Sequence, residues 1–505
     1  MKTGYRSIIN KINYSISLEL AIFIFIIFVG VILRFVNLGQ KSLWFDEAIL
    51  WFETIHPFPV MIKLMNVYAS IPFMFPLLIK LTGYISMVEF ALRFVSFSFG
   101  ISSIILMYFL CREFLKKIPS CIGALLVSLS TLQVVQSQEL RPYAMLMFLS
   151  LALLVSFIKY FKYRKNLYLF YFLIIGLISI FSHYILWFFL LIFNLMIGAE
   201  IIKRKFTKDN ILKWFVIQNI FVFSLILVWN INLKSQIEMK HSNPAMYSHI
   251  NEGYPKSTNP KDIANFLINN TRKMCISFYG NGGIDIFVLL LLFTLGISHI
   301  YINKSKRLIL YIFGCLIIMN IFLAIFRIFP YFWGKYAIHI SPFYYFFIAS
   351  AFNINYTKGK IFAAISIFLI AYLVNIELYN DFKYLLNPGR EESRDTINYL
   401  NANLKREEKI YINQGGFYAF VYYFRSGLQK VNVGRFWGGV VDAPFHKVIY
   451  SEVEKSFLRE NKGWVFLSLF DEVDSFIRIL SDRWKIERWI TNVNQDVNLF
   501  YISRK

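Results

Sequence analysis

The stretch SLELAIFIFIIFVGVILRFVNLGQKSLWFDEAILWF (residues 17–52) decides the fold class. Its first part, Ser17 to Val36, is long and apolar enough to cross a bilayer, which takes about 20 helical residues. It is too long for a signal-peptide core and lacks a small-residue cleavage site, so it reads as a retained first span. Asp46 and Glu47 follow at once, set between Trp44–Phe45 and Trp51–Phe52. Aromatics of this kind belong to the membrane interface, where an unpaired carboxylate is costly and a functional role is the default reading. The rest of the chain repeats the apolar theme. Of its 505 residues 57% are hydrophobic and only 16% are charged, against about 25% charged in soluble domains.

The net charge of +23 invites a nucleic-acid reading, which its distribution rejects. Lys and Arg crowd into short loops between alternate apolar runs: Lys2, Arg6 and Lys11; Arg112, Lys116 and Lys117; Lys159 to Lys165; Lys203 to Lys208; Lys304 to Arg307; Lys358 and Lys360. Glu113 and Asp209 are the acids there. Basic residues in every second loop follow the positive-inside rule, so the charge reports topology. Cys111, Cys121, Cys275 and Cys315 are scattered and show no disulfide framework or zinc spacing.

Fitting spans between the basic loops gives about eleven transmembrane helices, near 16–37, 88–110, 118–135, 142–160, 166–182, 184–201, 211–233, 284–302, 308–326, 335–352 and 360–378. An inside N-terminus and an odd count place the C-terminus outside. The outer segments 38–87 and 234–283 are then long. Within the first, FPVMIKLM (58–65) and FPLLIKL (75–81) read as short helices lying in the interface, each with a Lys able to snorkel. Past residue 380 the chain turns polar. The runs KIYIN (409–413), GWVFLSL (463–469) and VNLFYISRK (497–505) read as strands among helices. The expectation is a transmembrane domain over residues 1–380 and an extracytoplasmic α/β domain over 381–505.

Four constellations could carry chemistry. Asp46 and Glu47 are either a solvated helix start, with Ser42 as N-cap, or a reactive pair whose members point about 100° apart and so serve different atoms. In QSQELRPY (136–143), Pro142 suits a first helical turn, which puts Arg141 at a helix N-terminus that favours anions. A local Glu139–Arg141 pair is the plainer alternative. In FSHYILWF (181–188), His183 is either a hydrogen-bonded structural residue or a site residue. In RIFPYFWGKYAIHISPF (327–343), Arg327 and Lys335 lie outside against the charge trend, and Lys335 and His339 are spaced to share a helix face. Such cations either snorkel to outer headgroups or meet a lipid-linked phosphate.

Taken together, SLWFDEA (42–48), VEFALRFVSFSFG (88–100), SQELRPYAMLMFLSLALL (137–154), SHY (182–184) and GKYAIHISPFYYF (334–346) resemble, in order and spacing, the bacterial polytopic glycosyltransferases of the GT-C fold. These are related to protein O-mannosyltransferases and to the lipid A aminoarabinose transferase. The resemblance covers about residues 17–350. It implies an acid of the first outer loop as catalyst, carried here onto Asp46, with Glu47 the adjacent acid and Glu139 in the second motif. It implies a late cation at the donor phosphate, here Lys335 where relatives usually have Arg; beside it, Arg141 is read as holding phosphate or orienting the base, and Tyr336 and His183 as further donor-site candidates. Around residues 69–78, relatives often carry a His or Asp before two prolines; here Ser70, Ile71 and Pro72 stand instead.

The activity implied is an inverting transfer of a sugar from a polyprenyl-phosphate donor to a hydroxyl of a lipid, cell-envelope glycan (lipopolysaccharide among them) or protein. It is expected on the outer face of a bacterial cytoplasmic membrane. No cofactor is demanded, although a divalent cation beside the acidic pair is compatible with the motif, and no nucleic-acid partner is expected. A transporter or flippase of lipid-linked sugars and a polysaccharide polymerase or ligase are the competing classes.

Overall fold

The computed structural model describes the chain apart from residues 1, 69–70, 204–206, 243–250, 280–282, 332–333, 354–359, 387–391, 406–407, 425–430, 434–451, 456, 458–460, 469–472 and 493. Ser70 of the departing motif therefore lies outside the described residues. The first helix, α1, runs Lys2–Phe35. Three short helices follow, α2 (Phe45–Ile55), α3 (Phe58–Tyr68) and α4 (Met74–Gly83), so both Lys-bearing interfacial segments are helical. The bundle continues through α5 (Glu89–Arg112), α6 (Lys117–Leu129), α7 (Thr131–Gln138), α8 (Tyr143–Tyr163), α9 (Asn166–Ile180) and α10 (Ile185–Ile202). It is completed by α11 (Lys208–Val228), α12 (Lys234–Ser242), α13 (Pro260–Tyr279), α14 (Gly283–Ile302), α15 (Leu308–Ile325), α16 (Ser341–Ala351) and α17 (Lys360–Leu386).

Each of the eleven expected spans falls on a helix, and the helices differ in length. Among the described residues seven helices are long and apolar enough to cross a membrane, or eight if α6 and α7, bent by 53° at Ser130, form one span. The expected span 166–182 is a helix of 15 residues. That at 284–302 is met in full by α14, Gly283–Ile302. That at 335–352 shrinks to the 11 residues of α16, ten of them buried. A helix rises 1.5 Å per residue, so α16 is too short to span by itself; it is a core element wrapped by its neighbours. Gly296 on α14 permits this closeness, since a Cβ there would lie 1.8 Å from Phe347 O on α16. Lys335 and His339 do not share a helix face. Gly334–Ala337 is a 3-10 turn, and α16 begins only at Ser341, with Pro342 in its first turn.

Residues 394–504 form a mixed unit: α18 (Arg394–Asn403), β1 (Ile410–Ile412), α19 (Gln414–Tyr423), β2 (Val431–Val433), β3 (Lys462–Ser468), α20 (Val473–Arg483), β4 (Trp484–Thr491) and β5 (Val497–Arg504). Its five-stranded sheet has the order β2-β1-β3-β5-β4. β1 runs parallel to β2 and β3, while β3–β5 and β5–β4 are antiparallel. Side chains of β3 alternate between two cores, as the two-residue strand period requires. Trp464 and Phe466 join the core of Ile397, Leu400 and Phe420, and Val465 and Leu467 join that of Phe476 and Leu480. Helices thus cover both sheet faces, which explains why β3 is apolar on both.

This unit is braced against the segment between α1 and α2. Ser42 donates its N–H and hydroxyl to Glu392, and its hydroxyl accepts from Arg394 N–H. Ser42 is therefore not the N-cap of α2; Trp44 holds that position, in extended conformation. Leu43 N–H donates to the Tyr423 hydroxyl at 2.8 Å, Arg394 pairs with Glu89 at 2.8 Å, and Tyr422 meets the Trp51 ring edge-on.

Candidate active site at the start of the second helix

The two acids of α2 part company at its first turn. Both are favoured near a helix N-terminus, where the dipole is positive, and Glu47 accepts from Trp44 N–H at 3.3 Å, which satisfies one of the amides at the helix start. The helical rotation then sends Glu47 inward, where its side chain is 0% exposed. There Arg93 of α5 donates to both of its oxygens, at 2.9 and 2.6 Å, and Leu140 N–H adds a third contact at 2.5 Å. The remaining donors of Arg93 hold the carbonyls of Leu38, Lys41 and Ser42. A doubly bonded Arg–carboxylate pair is geometrically specific; here it pins the loop before α2 to the bundle.

Asp46 stays partly exposed, with 28% of its side chain accessible. Its Oδ2 lies 3.1 Å from Arg141 Nη2 and 4.0 Å from Lys335 Nζ. Both cations lie within 6 Å of the Trp44 and Tyr143 ring centres, and Lys335 is 5.7 Å from that of Tyr336. Arg141 is set by its own turn, where its N–H donates to Glu139 O at 2.8 Å and its carbonyl accepts from Ser96 of α5. Lys335 is presented by the 3-10 turn that follows Gly334, whose φ of +65° suits glycine. Burial raises the Tyr336 phenol above its ordinary value, so it remains a hydrogen-bond donor.

The structure therefore brings Asp46, Arg141, Lys335 and Tyr336 together. Glu139 is half-buried in the Arg141 turn and adds its charge to that of Asp46 in favouring the guanidinium. Glu47 is used up within the framework. His183 stands apart: it is buried, its Nδ1 accepts from Ile185 N–H at 3.3 Å, and its ring meets Phe329. Burial lowers its pKa to about 4, which leaves it neutral at pH 7. Among the described residues no hydrogen bond or ion pair joins it to Asp46, Arg141 or Lys335. His339 is occupied with Asn320 at 3.1 Å.

Sequence reasoning passed over Glu53. It lies seven positions after Asp46 on the stripe Asp46, Ile49, Leu50, Glu53, a helical period that was legible. It is 1% exposed, and its Oε1 has no hydrogen-bond partner among the described residues. Burial raises its pKa to about 8, against the pull of Arg141. It also passed over Arg93, although that residue sits within the quoted motif of α5. A divalent ion does not suit the residues present. No group of three or more His, Cys, Asp or Glu side chains forms among the described residues, and Asp46 already faces two cations.

No protein-family model matches the chain, and no curated protein sequence does. Solved structures do match. ArnT from Cupriavidus metallidurans bound to undecaprenyl phosphate superposes with a TM-score of 0.57 at 9% identity, over 96% of this chain and 97% of that one. The archaeal oligosaccharyltransferase AglB from Archaeoglobus fulgidus, in complex with an inhibitory peptide and a dolichol-phosphate, gives 0.50 at 14% identity, over 91% of this chain and 70% of that one. A further structure of the Archaeoglobus fulgidus oligosaccharyltransferase, with zinc and sulfate, gives 0.55 at 13% identity over 96% and 73%. The fold is GT-C, as the sequence resemblance implied, and at these identities the likeness is one of fold.

Proposed function

We propose that the chain is an inverting glycosyltransferase that moves a sugar from a polyprenyl-phosphate donor to a hydroxyl acceptor at the outer face of the cytoplasmic membrane. One observation carries the reading. Of two adjacent acids, one is consumed in the framework, and the other is left partly exposed beside two cations and three aromatic rings. The same general chemistry fits the neighbours by fold, which were solved with undecaprenyl phosphate and with a dolichol-phosphate.

The geometry supports a single displacement. The acceptor hydroxyl loses its proton to the Asp46 carboxylate as its oxygen bonds to the anomeric carbon. The bond from that carbon to the phosphate oxygen breaks, and the phosphate leaves with the electron pair. Arg141, in close contact with Asp46, orients the base. Lys335 sits at the limit of pairing distance, 4.0 Å, so it is free to turn its charge to the departing phosphate. A retaining hydrolase would need two carboxyls about 5 Å apart across the bond; Glu47 is walled off from that role. The unit after residue 390 is the natural place for the acceptor. An open cleft of about 650 Å³ lies between α18, the β4–β5 turn, the end of α17 and the segment after α1, and its lining includes Asp395, Thr396, Tyr399 and Asn492.

The test is transfer of radiolabel from a polyprenyl-phosphate sugar to envelope glycan or lipid by the purified protein in proteoliposomes. Label reaching the acceptor supports the proposal. Label that crosses the bilayer while remaining on its lipid carrier would overturn it in favour of a flippase.

A further inference from the structure

We infer that Glu53 is a positioning residue of the donor site. As an uncharged acid it leaves the Arg141 guanidinium to Asp46 and the donor phosphate. Once ionised, it sets a rival negative charge near that guanidinium and loosens the hold on the donor. The inference rests on the donor reading above and deepens it. Glu53 follows Asp46 by seven positions, close to two full turns, so both lie on one face of α2. Asp46 meets Arg141 at the start of that face, and the buried Ile49 and Leu50 lie between the two acids.

The surroundings of Glu53 do little to hold a charge. Its side chain is buried, and its Oε1 has no hydrogen-bond partner among the described residues. A buried carboxylate without donors is far costlier than the neutral acid. Arg141 spends its terminal nitrogens on Asp46, Nη2 on the carboxylate at 3.1 Å and Nη1 on the carbonyl at 3.4 Å. Its Nε is buried and, among the described residues, has no partner. An acceptor and a donor are thus both left over, and the charge of Arg141 acts on Glu53. Burial lifts the Glu53 pKa to about 8 against that pull, so the acid is neutral at pH 7 and ionises in mild alkali.

The other charged and titratable groups around α2 are engaged elsewhere. The helix packs against α3, α4 and α19. Lys63 of α3 is exposed. Lys80 of α4 donates to Thr54 O and His56 O at 3.0 and 2.6 Å. On α19, the Tyr418 ring lies against Phe45 and Phe52, the Tyr422 hydroxyl donates to Met87 O, and that of Tyr423 donates to Glu89. At the ends of α2 itself, Glu47 is held by Arg93, and His56 Nδ1–H donates to Phe52 O at 2.8 Å. Glu139 sits in the Arg141 turn and favours the guanidinium with Asp46. Arg141 is the charge among the described residues that acts on Glu53. Glu53 needs no contact with the donor, because a charge several ångströms away still acts on an anion where water is scarce.

The experiment measures binding of farnesyl methyl phosphate, a diester with no proton to lose near neutrality, to the full-length protein in detergent. Quenching of tryptophan fluorescence follows it from about pH 7 to about pH 9, which brackets the Glu53 value. Wild type is expected to bind about three- to tenfold more weakly at the alkaline end, the scale of one partly screened charge at several ångströms. Glu53→Gln, neutral at every pH, should bind with one affinity throughout. The pH profile separates this role from a merely structural one, which the substitution would disturb equally at both ends. Wild-type binding that does not change with pH, or a Glu53→Gln profile that falls as wild type does, overturns the inference. Wild type that fails to bind the diester at any pH overturns the donor reading, and this inference with it. Should Glu53→Gln not elute as a single species, Glu53→Met provides the same comparison.

Discussion

Arg34 and Arg141 sit in apolar surroundings at two levels of the same bundle, and the protein treats them in opposite ways. Arg34 is fully buried at the α6–α7 bend. It donates to Ser137 Oγ at 3.2 Å and to the carbonyls of Gly30, Ser128 and Val127 at 3.2, 2.8 and 2.8 Å. Two of those carbonyls belong to the last turn of α6, which has no following turn to satisfy them. Glu377 caps the other side of the break, accepting from Thr131 N–H at 3.0 Å. Gly100 gives this knot room, since a Cβ there would meet Ser137 Oγ at 2.1 Å. Arg141 instead shares a half-exposed carboxylate with a second cation. A saturated cation holds the fold together; one whose partner still faces open space can act on a ligand.

Substitutions can break that contrast. Asp46→Asn is expected to lower transfer about 10²- to 10⁴-fold, the usual worth of a general base, with unchanged melting of the purified protein. Wild-type turnover from Asp46→Asn would sink the assignment. Glu47→Gln leaves Arg93 buried beside a neutral partner and should remove about 3–5 kcal/mol of stability, read as a lower thermal midpoint in detergent. Arg34→Met strands the α6 carbonyls at about 1–3 kcal/mol each. It should lower the yield of folded protein while leaving turnover per folded molecule intact, and a selective loss of turnover would place Arg34 in the reaction. Lys335→Ala should raise the donor concentration needed for half-maximal rate about tenfold, the scale of one charge-assisted contact, and leave acceptor dependence alone. Equal change in both would remove Lys335 from the phosphate.

His183 gives the smallest effect. Its folded pKa, about 4, lies below the ordinary 6.5, so the unfolded chain binds the extra proton between those values. Its contribution is intact above pH 6.5 and drains away as the pH falls toward 4. Melting followed over that window should show a steeper acid loss in wild type than in His183→Gln. Identical slopes would mean that His183 is not the group titrating.

Much of this was legible. Runs of apolar residues and the appearance of strand-like runs announced a helical membrane bundle and the C-terminal sheet, because hydrophobic periodicity is a local signal; the GT-C fold was implied by the resemblance of the motifs. The shortness of α16 was hidden, since a segment buried by protein is as apolar as one buried by lipid. So were β2 and β4, which are respectively three residues long and half-exposed. Glu53 could have been found from its spacing to Asp46. Its burial could not, because what covers it comes from other elements.

The sequence alone determined that the chain is a multi-pass membrane protein and that two acids and several cations lie in the connections between its apolar runs; composition and spacing carry that information. Only the tertiary structure decided which acid remains available. Glu47 is claimed by Arg93, 46 positions away, and the loop before it is held by Glu392, 350 positions from Ser42. A hydrogen bond depends on distance in space, and neighbours in sequence that point 100° apart meet different parts of the chain.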